Sequence, residues 1–391
     1  MRLAKIADRL QGLGADKWAV HLEGKMRAAM GEDVIFLSIG EPDAAPPQSV
    51  LDVASAQMNN GRLKYSSGQG EPNVLAALSR HYTKQTGRAI GPDQFMFLPG
   101  TQTALSVAFL SILDEGDEVL MFDPYYATYE ALVRLPGGIP VPVPLDPDRG
   151  FHPDLKLLEA AITPRTRAIL LNSPSNPTGA VFTAEEVKAI GAMAAKHDLW
   201  LVSDEVYANL VHGNHVFTSP FFDQALESRV IVCSSISKSH AMPGFRCGWI
   251  AASADYCAKA VAVAESLLFG SPQFLQDAVA FALDTHFVEL DQIQRDYQLR
   301  AMALLEGLSA CKTVSARMPE GGMFVMVDVR KTGLSGEEFA RALLHKHNVV
   351  TMPGESFGAC GQGHLRVALT VDEATMREAA KRIAALATSL N

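Results

Sequence analysis

A chain of 391 residues is too long for one simple core and implies a large domain with a smaller one beside it. Its formal net charge of -9 lacks the basic excess of a nucleic-acid binder, and 48% apolar with 7% aromatic residues is the balance of an ordinary globular protein, not of a fibre or a disordered chain. The five cysteines (Cys233, Cys247, Cys257, Cys311 and Cys360) are odd in number, scattered and without a CxxC pair, which fits reduced thiols in the cytoplasm better than a disulfide frame or a zinc site. Charges in the first nine residues stand where a signal peptide needs an apolar stretch, and no apolar run reaches membrane-spanning length, so no membrane partner is expected.

The stretch 6–30 reads as an amphipathic helix broken at Gly12–Gly14. A strand at 34–38 leads into Gly40-Glu41-Pro42-Asp43, where Gly40 either makes a plain turn or lets a ligand approach the backbone. Lys64-Tyr65-Ser66-Ser67-Gly68-Gln69-Gly70 is a loop, with Tyr65 open to a packing role or a ligand contact, and a helix follows over about 73–86.

Strands and helices then alternate. A strand at 94–98 is joined by Pro99-Gly100-Thr101-Gln102-Thr103 to a helix at 104–113. Such a junction aims backbone N–H groups and the positive helix end at one point, a natural phosphate site. The strand at 118–122 ends in Asp123-Pro124-Tyr125-Tyr126-Ala127-Thr128-Tyr129, whose tyrosines offer a face to a flat ring or ordinary packing. A strand at 168–171 precedes Asn172-Ser173-Pro174-Ser175-Asn176-Pro177-Thr178-Gly179, a rigid loop of turn-formers. Thr183 and Glu186 form a capping box for the next helix. The strand at 200–203 ends in Asp204-Glu205-Val206-Tyr207, and the one at 230–233 in Ser234-Ser235-Ile236-Ser237-Lys238. A lysine ringed by hydroxyls, with Arg246 eight residues on, can bind a carbonyl as a Schiff base and hold a phosphate, the two features of pyridoxal phosphate (PLP). Alternation of this kind implies a mainly parallel sheet flanked by helices, with every motif at a strand end and able to converge on one crevice.

From about residue 285 the texture changes: a long polar helix at 289–308, a strand at 323–329 after Gly321-Gly322, a helix at 335–347, and a strand at 363–369 containing Arg366. An arginine inside an apolar strand needs an anionic partner, from the protein or from a substrate carboxylate.

Together these pieces (SIGEPD, the Tyr65 loop, PGTQTAL, DPYYATY, NSPSNPTG, SDEVY, SISKSHAMPGFRCGW and PGESFG…HLRVAL) resemble the class I aminotransferases of PLP fold type I over nearly the whole chain. The resemblance implies a large PLP domain at 45–285, a small α/β domain from both ends (1–44 and 286–391), and a homodimer with shared active sites. It implies that Lys238 carries PLP and then moves the substrate proton. Asp204 would pair with the pyridine nitrogen, Tyr207 and Asn176 with the ring O3′, and Tyr126 would stack on the ring. Gly100, Thr101, Gln102, Ser235, Ser237 and Arg246 would bind the phosphate, with Tyr65 arriving from the other subunit. Arg366, with Asn176 and the Gly40 backbone, would hold the α-carboxylate.

Aspartate-specific bacterial relatives often carry lysine where Gln102 stands, which tells against aspartate as donor. The stretches at 17–21, 234–244, 269–278 and 321–330 look closest to arginine–pyruvate transaminases. The expected activity is transfer of an amino group from an L-amino acid to a 2-oxo acid such as pyruvate or 2-oxoglutarate. The alternatives are a β-elimination lyase on the same fold and, remotely, a non-catalytic ligand-sensing module.

Overall fold

The computed structural model describes residues 2–13 and 16–390. Its strands are, in chain order, β1 (Ile35–Phe36), β2 (Phe95–Leu98), β3 (Glu118–Asp123), β4 (Ile139–Pro144), β5 (Thr166–Asn172), β6 (Trp200–Asp204), β7 (Val230–Ser235), β8 (Gly248–Ala251), β9 (Ser315–Ala316), β10 (Phe324–Asp328), β11 (Val349–Val350), β12 (Met352–Pro353) and β13 (His364–Ala368). A seven-stranded sheet runs in the order β2-β8-β7-β6-β5-β3-β4. All of its strands point the same way except β8, which is antiparallel to both neighbours.

Both faces of this sheet are covered, which explains the unbroken apolar runs in its central strands. Along β3, Val119 and Met121 join Ala104 and Ala108 of the helix Thr101–Ile112 in one core cluster. The alternate residues Leu120 and Phe122 belong to the opposite cluster, where Phe122 meets Phe182 edge to face at 5.3 Å.

The smaller α/β unit draws on both chain ends. β1 pairs in parallel with β11, so the N-terminal segment is built into the C-terminal part. Beside it lies the antiparallel sheet β12-β13-β10-β9. The helices Val288–Leu308 and Glu373–Ser389 contribute Leu304 and Ile383 to a second core with Leu37, Val325 and Val367. Arg300 ties the ends together: its guanidinium donates to both carboxylate oxygens of Asp43, at 2.8 and 2.7 Å, and to the Leu369 carbonyl at 2.8 Å.

Several expectations need adjusting. The helix expected over 6–30 is a short helix at Lys5–Arg9 and a longer one at Ala19–Ala29. Gly12, at φ 74°, sits in the left-handed region after the first, and Gly14 lies outside the described residues. The helix after Gly100 begins at Thr101, three residues early. Two strands of the seven-stranded sheet are absent from the sequence reading, as are the two-residue strands β9, β11 and β12 of the smaller unit. β8 is a four-residue strand behind an irregular turn. β4 reads Ile-Pro-Val-Pro-Val-Pro, and prolines usually argue against a strand. Here the neighbouring N–H groups point inward to β3, with Ile139 N donating to Asp117 O at 2.7 Å and Leu145 N to Asp123 O at 2.8 Å. The prolines between them therefore turn their missing N–H toward the open edge.

Candidate active site

Because the sheet is mainly parallel, the carboxyl ends of its strands share one rim. Gly100 follows β2, Tyr126 and Tyr129 follow β3, and Asn176 follows β5. β6 ends in Asp204, and β7 runs into the short helix Ile236–Ser239 that carries Lys238. This rim and residues of the smaller unit, among them Gly40, Phe324 and Arg366, enclose a cavity of about 230 Å³.

Lys238 Nζ donates to the Gly40 carbonyl. Burial draws its ammonium down to about 8, partly countered by Glu41. An amine so placed is neutral often enough at neutral pH to act as a nucleophile or base. Gly40 must be glycine here, since a Cβ would come within 2.3 Å of the Phe324 ring.

Asp204 is buried at the floor. Its Oδ2 accepts from the Tyr129 hydroxyl at 2.7 Å and its Oδ1 from the Val206 N–H at 3.2 Å. Burial raises its carboxyl to about 6 despite these donors. Tyr207, also buried, lines the cavity and meets Phe324 edge to face.

Arg366 is 2% exposed. Its Nη1 donates to Asn176 Oδ1 at 3.0 Å and its Nη2 to the Ser38 carbonyl, while Nε has no acceptor among the described residues. Phe324 and Phe357 approach the guanidinium at 4.3 and 4.6 Å. Of the two anionic partners open to it on sequence grounds, a protein carboxylate is not found among the described residues. Burial lowers it to about 10, so it stays charged at neutral pH and faces the cavity without a counter-ion.

A cradle for an anion lies at the start of the helix Thr101–Ile112. Gly100 takes φ 86°, and a Cβ there would come within 2.4 Å of Arg246 Nη2. Thr101 Oγ1 is buried with no partner among the described residues. Among the described residues Arg246 hydrogen-bonds only to carbonyls, donating to Pro243 O at 2.9 Å and Pro99 O at 3.3 Å. Ser235 and Ser237, both buried, and Gln102 border the same space. Orphaned donors, a helix N-terminus and an arginine without a carboxylate fit a phosphate ester.

The cavity thus gathers the expected residues with two exceptions, Gly100, which lies behind its wall against the Arg246 guanidinium, and Tyr65. Tyr65 lies outside it, 84% exposed, with its ring edge-on to exposed Phe269 at 5.7 Å. The sequence reading missed the support given to Asp204 by Tyr129 and Asn172. It missed Phe324 and Phe357 around Arg366, and Trp18 on the cavity wall. It also passed over Glu205, fully buried on two serine hydroxyls, Ser203 at 2.9 Å and Ser219 at 2.6 Å.

The model of the family described as aminotransferase class I and II matches residues 32–383. The chain is 38% identical to arginine–pyruvate transaminase AruH of Pseudomonas aeruginosa over 391 residues, covering 100% of this chain and 99% of that one. It is 34% identical to the aspartate/prephenate aminotransferase of Thermus thermophilus over 372 residues, 94% of each. The solved structure of Thermus thermophilus aspartate aminotransferase with maleate superposes with a TM-score of 0.92 at 30% identity, covering 99% of this chain and 100% of that one. These names are transaminases and tell against the lyase and sensor readings. With the family model spanning both the seven-stranded sheet and the smaller unit, the chain belongs to the class I and II aminotransferases, PLP-dependent enzymes that pass an amino group to a 2-oxo acid.

Proposed function

We propose that this aminotransferase takes its nitrogen from a donor with a basic side chain, arginine first, and gives it to pyruvate, with 2-oxoglutarate as the other candidate acceptor. The observation that carries the site reading is a buried arginine without a carboxylate partner sharing one cavity with a desolvated lysine. PLP, when bound, supplies an aldehyde that captures the donor amine and a ring that accepts electrons from the α-carbon.

Lys238 would hold the cofactor through its Nζ, and the freed amine would be the base that moves the donor's α-proton. Asp204 would pair with the pyridine nitrogen, Tyr207 and Asn176 with O3′, and Tyr126 would cover the ring face. Gly100, Thr101, Gln102, Ser235, Ser237 and Arg246 would hold the phosphate. Arg366, with Asn176 and the Gly40 backbone, fixes the α-carboxylate in a planar two-point contact. The donor class is supported by the name of the relative AruH and by Gln102, an uncharged residue on the cavity wall.

We further propose a large PLP domain at 45–285 and a small domain at 1–44 and 286–391. A homodimer completes each site with Tyr65 of the partner subunit. The exposed apolar residues Leu63, Tyr65, Leu267 and Phe269 support that interface. Five free cysteines support a cytoplasmic setting; among the described residues no helix is long and apolar enough to cross a membrane.

The test is a half-reaction. Enzyme is mixed with each amino acid in turn, without oxo acid, while the cofactor's absorbance is followed. Conversion led by arginine or lysine is expected; conversion led by aspartate would overturn the donor class. For the dimer, Lys238→Ala and Tyr65→Ala proteins, each inactive alone, should regain activity when mixed and allowed to exchange subunits. No recovery on confirmed exchange would refute shared sites.

A further inference from the structure

The contact between Tyr129 and Asp204 goes beyond packing. Both side chains are buried, at 2% and 4% exposure, and the hydroxyl lies 2.7 Å from Oδ2. The carboxylate's other donor among the described residues is the Val206 N–H at 3.2 Å, and no cation pairs with it. Tyr129 is fixed in turn. Its backbone N–H donates to Tyr126 O at 2.9 Å, and its ring meets that of Tyr126 at 84° with centroids 5.6 Å apart. Asn172 secures the same strand end through the backbone: Nδ2 donates to the Asp204 carbonyl at 3.0 Å, and Oδ1 accepts from the Asn176 N–H at 2.9 Å.

A buried carboxylate facing a ring nitrogen shares one proton with it, and the stronger base keeps that proton. Donors to the carboxylate make it the weaker base. With a single backbone N–H, Asp204 would compete for the proton, and a ring without that proton is a poorer electron sink. We propose that Tyr129 is a positioning residue for the transfer reaction, holding Asp204 as a carboxylate less basic than the pyridine nitrogen so that the proton stays on the ring. This rests on the reading of Asp204 given above. The hydroxyl acts as a donor throughout and does not give up its proton.

Tyr129→Phe removes the donor and keeps the ring that fills the core. The holoenzyme is reconstituted with PLP carrying nitrogen-15 in the ring, and the ring-nitrogen shift is read alongside the pH midpoint of the visible absorbance. In the parent protein the nitrogen should be protonated. In Tyr129→Phe the signal should move toward the neutral form. The absorbance midpoint should rise by about one pH unit, because a less positive ring leaves the bound imine more basic. The kcat should fall about 10- to 100-fold, as for a lost hydrogen bond to a charged group, with KM nearly constant. Should this variant fail to fold, difluorotyrosine at position 129 gives a more acidic donor of similar shape, and the midpoint should then fall. A neutral ring nitrogen in the parent protein would overturn the role of Asp204 and the proposal with it. A protonated nitrogen and equal midpoints in the parent and Tyr129→Phe proteins would overturn the role of Tyr129 alone.

Discussion

Replacing Arg366 with lysine keeps a positive charge in the cavity and removes the shape of the guanidinium. Arg366 spends Nη1 on Asn176 at 3.0 Å and Nη2 on the Ser38 carbonyl, and lies within 4.3 and 4.6 Å of two phenyl rings. A lysine ammonium can reach one of these acceptors but cannot keep both and also present a planar pair of N–H groups to a carboxylate. Losing one charge-assisted contact to the substrate should cost about 2–3 kcal/mol, so Arg366→Lys should lower kcat/KM roughly 30- to 150-fold, mostly through KM. The assay compares an amino acid with the matching amine that lacks the α-carboxylate. The amine should be processed equally slowly by both proteins. An equal loss on both substrates would show that Arg366 acts by holding the fold. An unchanged KM for the amino acid would refute its role as the carboxylate anchor.

Lys238→Ala should lose the visible absorbance of bound cofactor and all turnover; full turnover would overturn the site. Gly100→Ala places a Cβ where Arg246 Nη2 would stand 2.4 Å away, at a φ of 86°. It should weaken PLP binding about 10- to 100-fold for roughly 1–3 kcal/mol of strain, and equal PLP affinity by fluorescence titration would remove this turn from the phosphate site. Glu205 is raised by burial from 4.5 to about 7. The folded state therefore binds its proton more tightly than the unfolded chain. The stabilisation is fully present below pH 4.5 and lost as pH rises through about 7. Glu205→Gln should flatten the stability–pH curve in that window by about 3 kcal/mol in denaturant titrations. A curve parallel to that of the parent protein would show that Glu205 is ionised throughout.

Much of the site was legible because its chemistry sits next to recognisable strand ends. A lysine among hydroxyls, a carboxylate closing an apolar strand and a glycine opening a helix each signal locally. The arginine at 366 was legible as a conflict, a charge in an apolar run, but its surroundings were not. Phe324 reads as an ordinary core residue of β10, and it reaches the guanidinium through the pairing of Met326 with Arg366, a register that sequence does not state. Tyr129 and Asp204 are 75 positions apart and meet only because β3 and β6 open onto the same rim. Tyr65 shows a different limit: its proposed target lies on another subunit, so one chain leaves it exposed. β4 was hidden because its prolines break the usual pattern of a strand while suiting its place at the end of the sheet.

Those prolines also bear on how the protein behaves at high concentration. With the N–H groups of residues 139 and 145 turned toward β3, Pro140, Pro142 and Pro144 leave the outer side of β4 with carbonyls and no donors. An incoming strand would find nothing to donate to its own carbonyls, at a cost of about 1–3 kcal/mol for each one buried unpaired. At the other end of the sheet, Gln69 closes β2, accepting from the Phe97 N–H at 2.8 Å and donating to the Phe95 carbonyl at 2.9 Å. A sheet shut at both ends resists the strand-by-strand growth that begins aggregation. It leaves association between copies of this chain to side-chain surfaces alone.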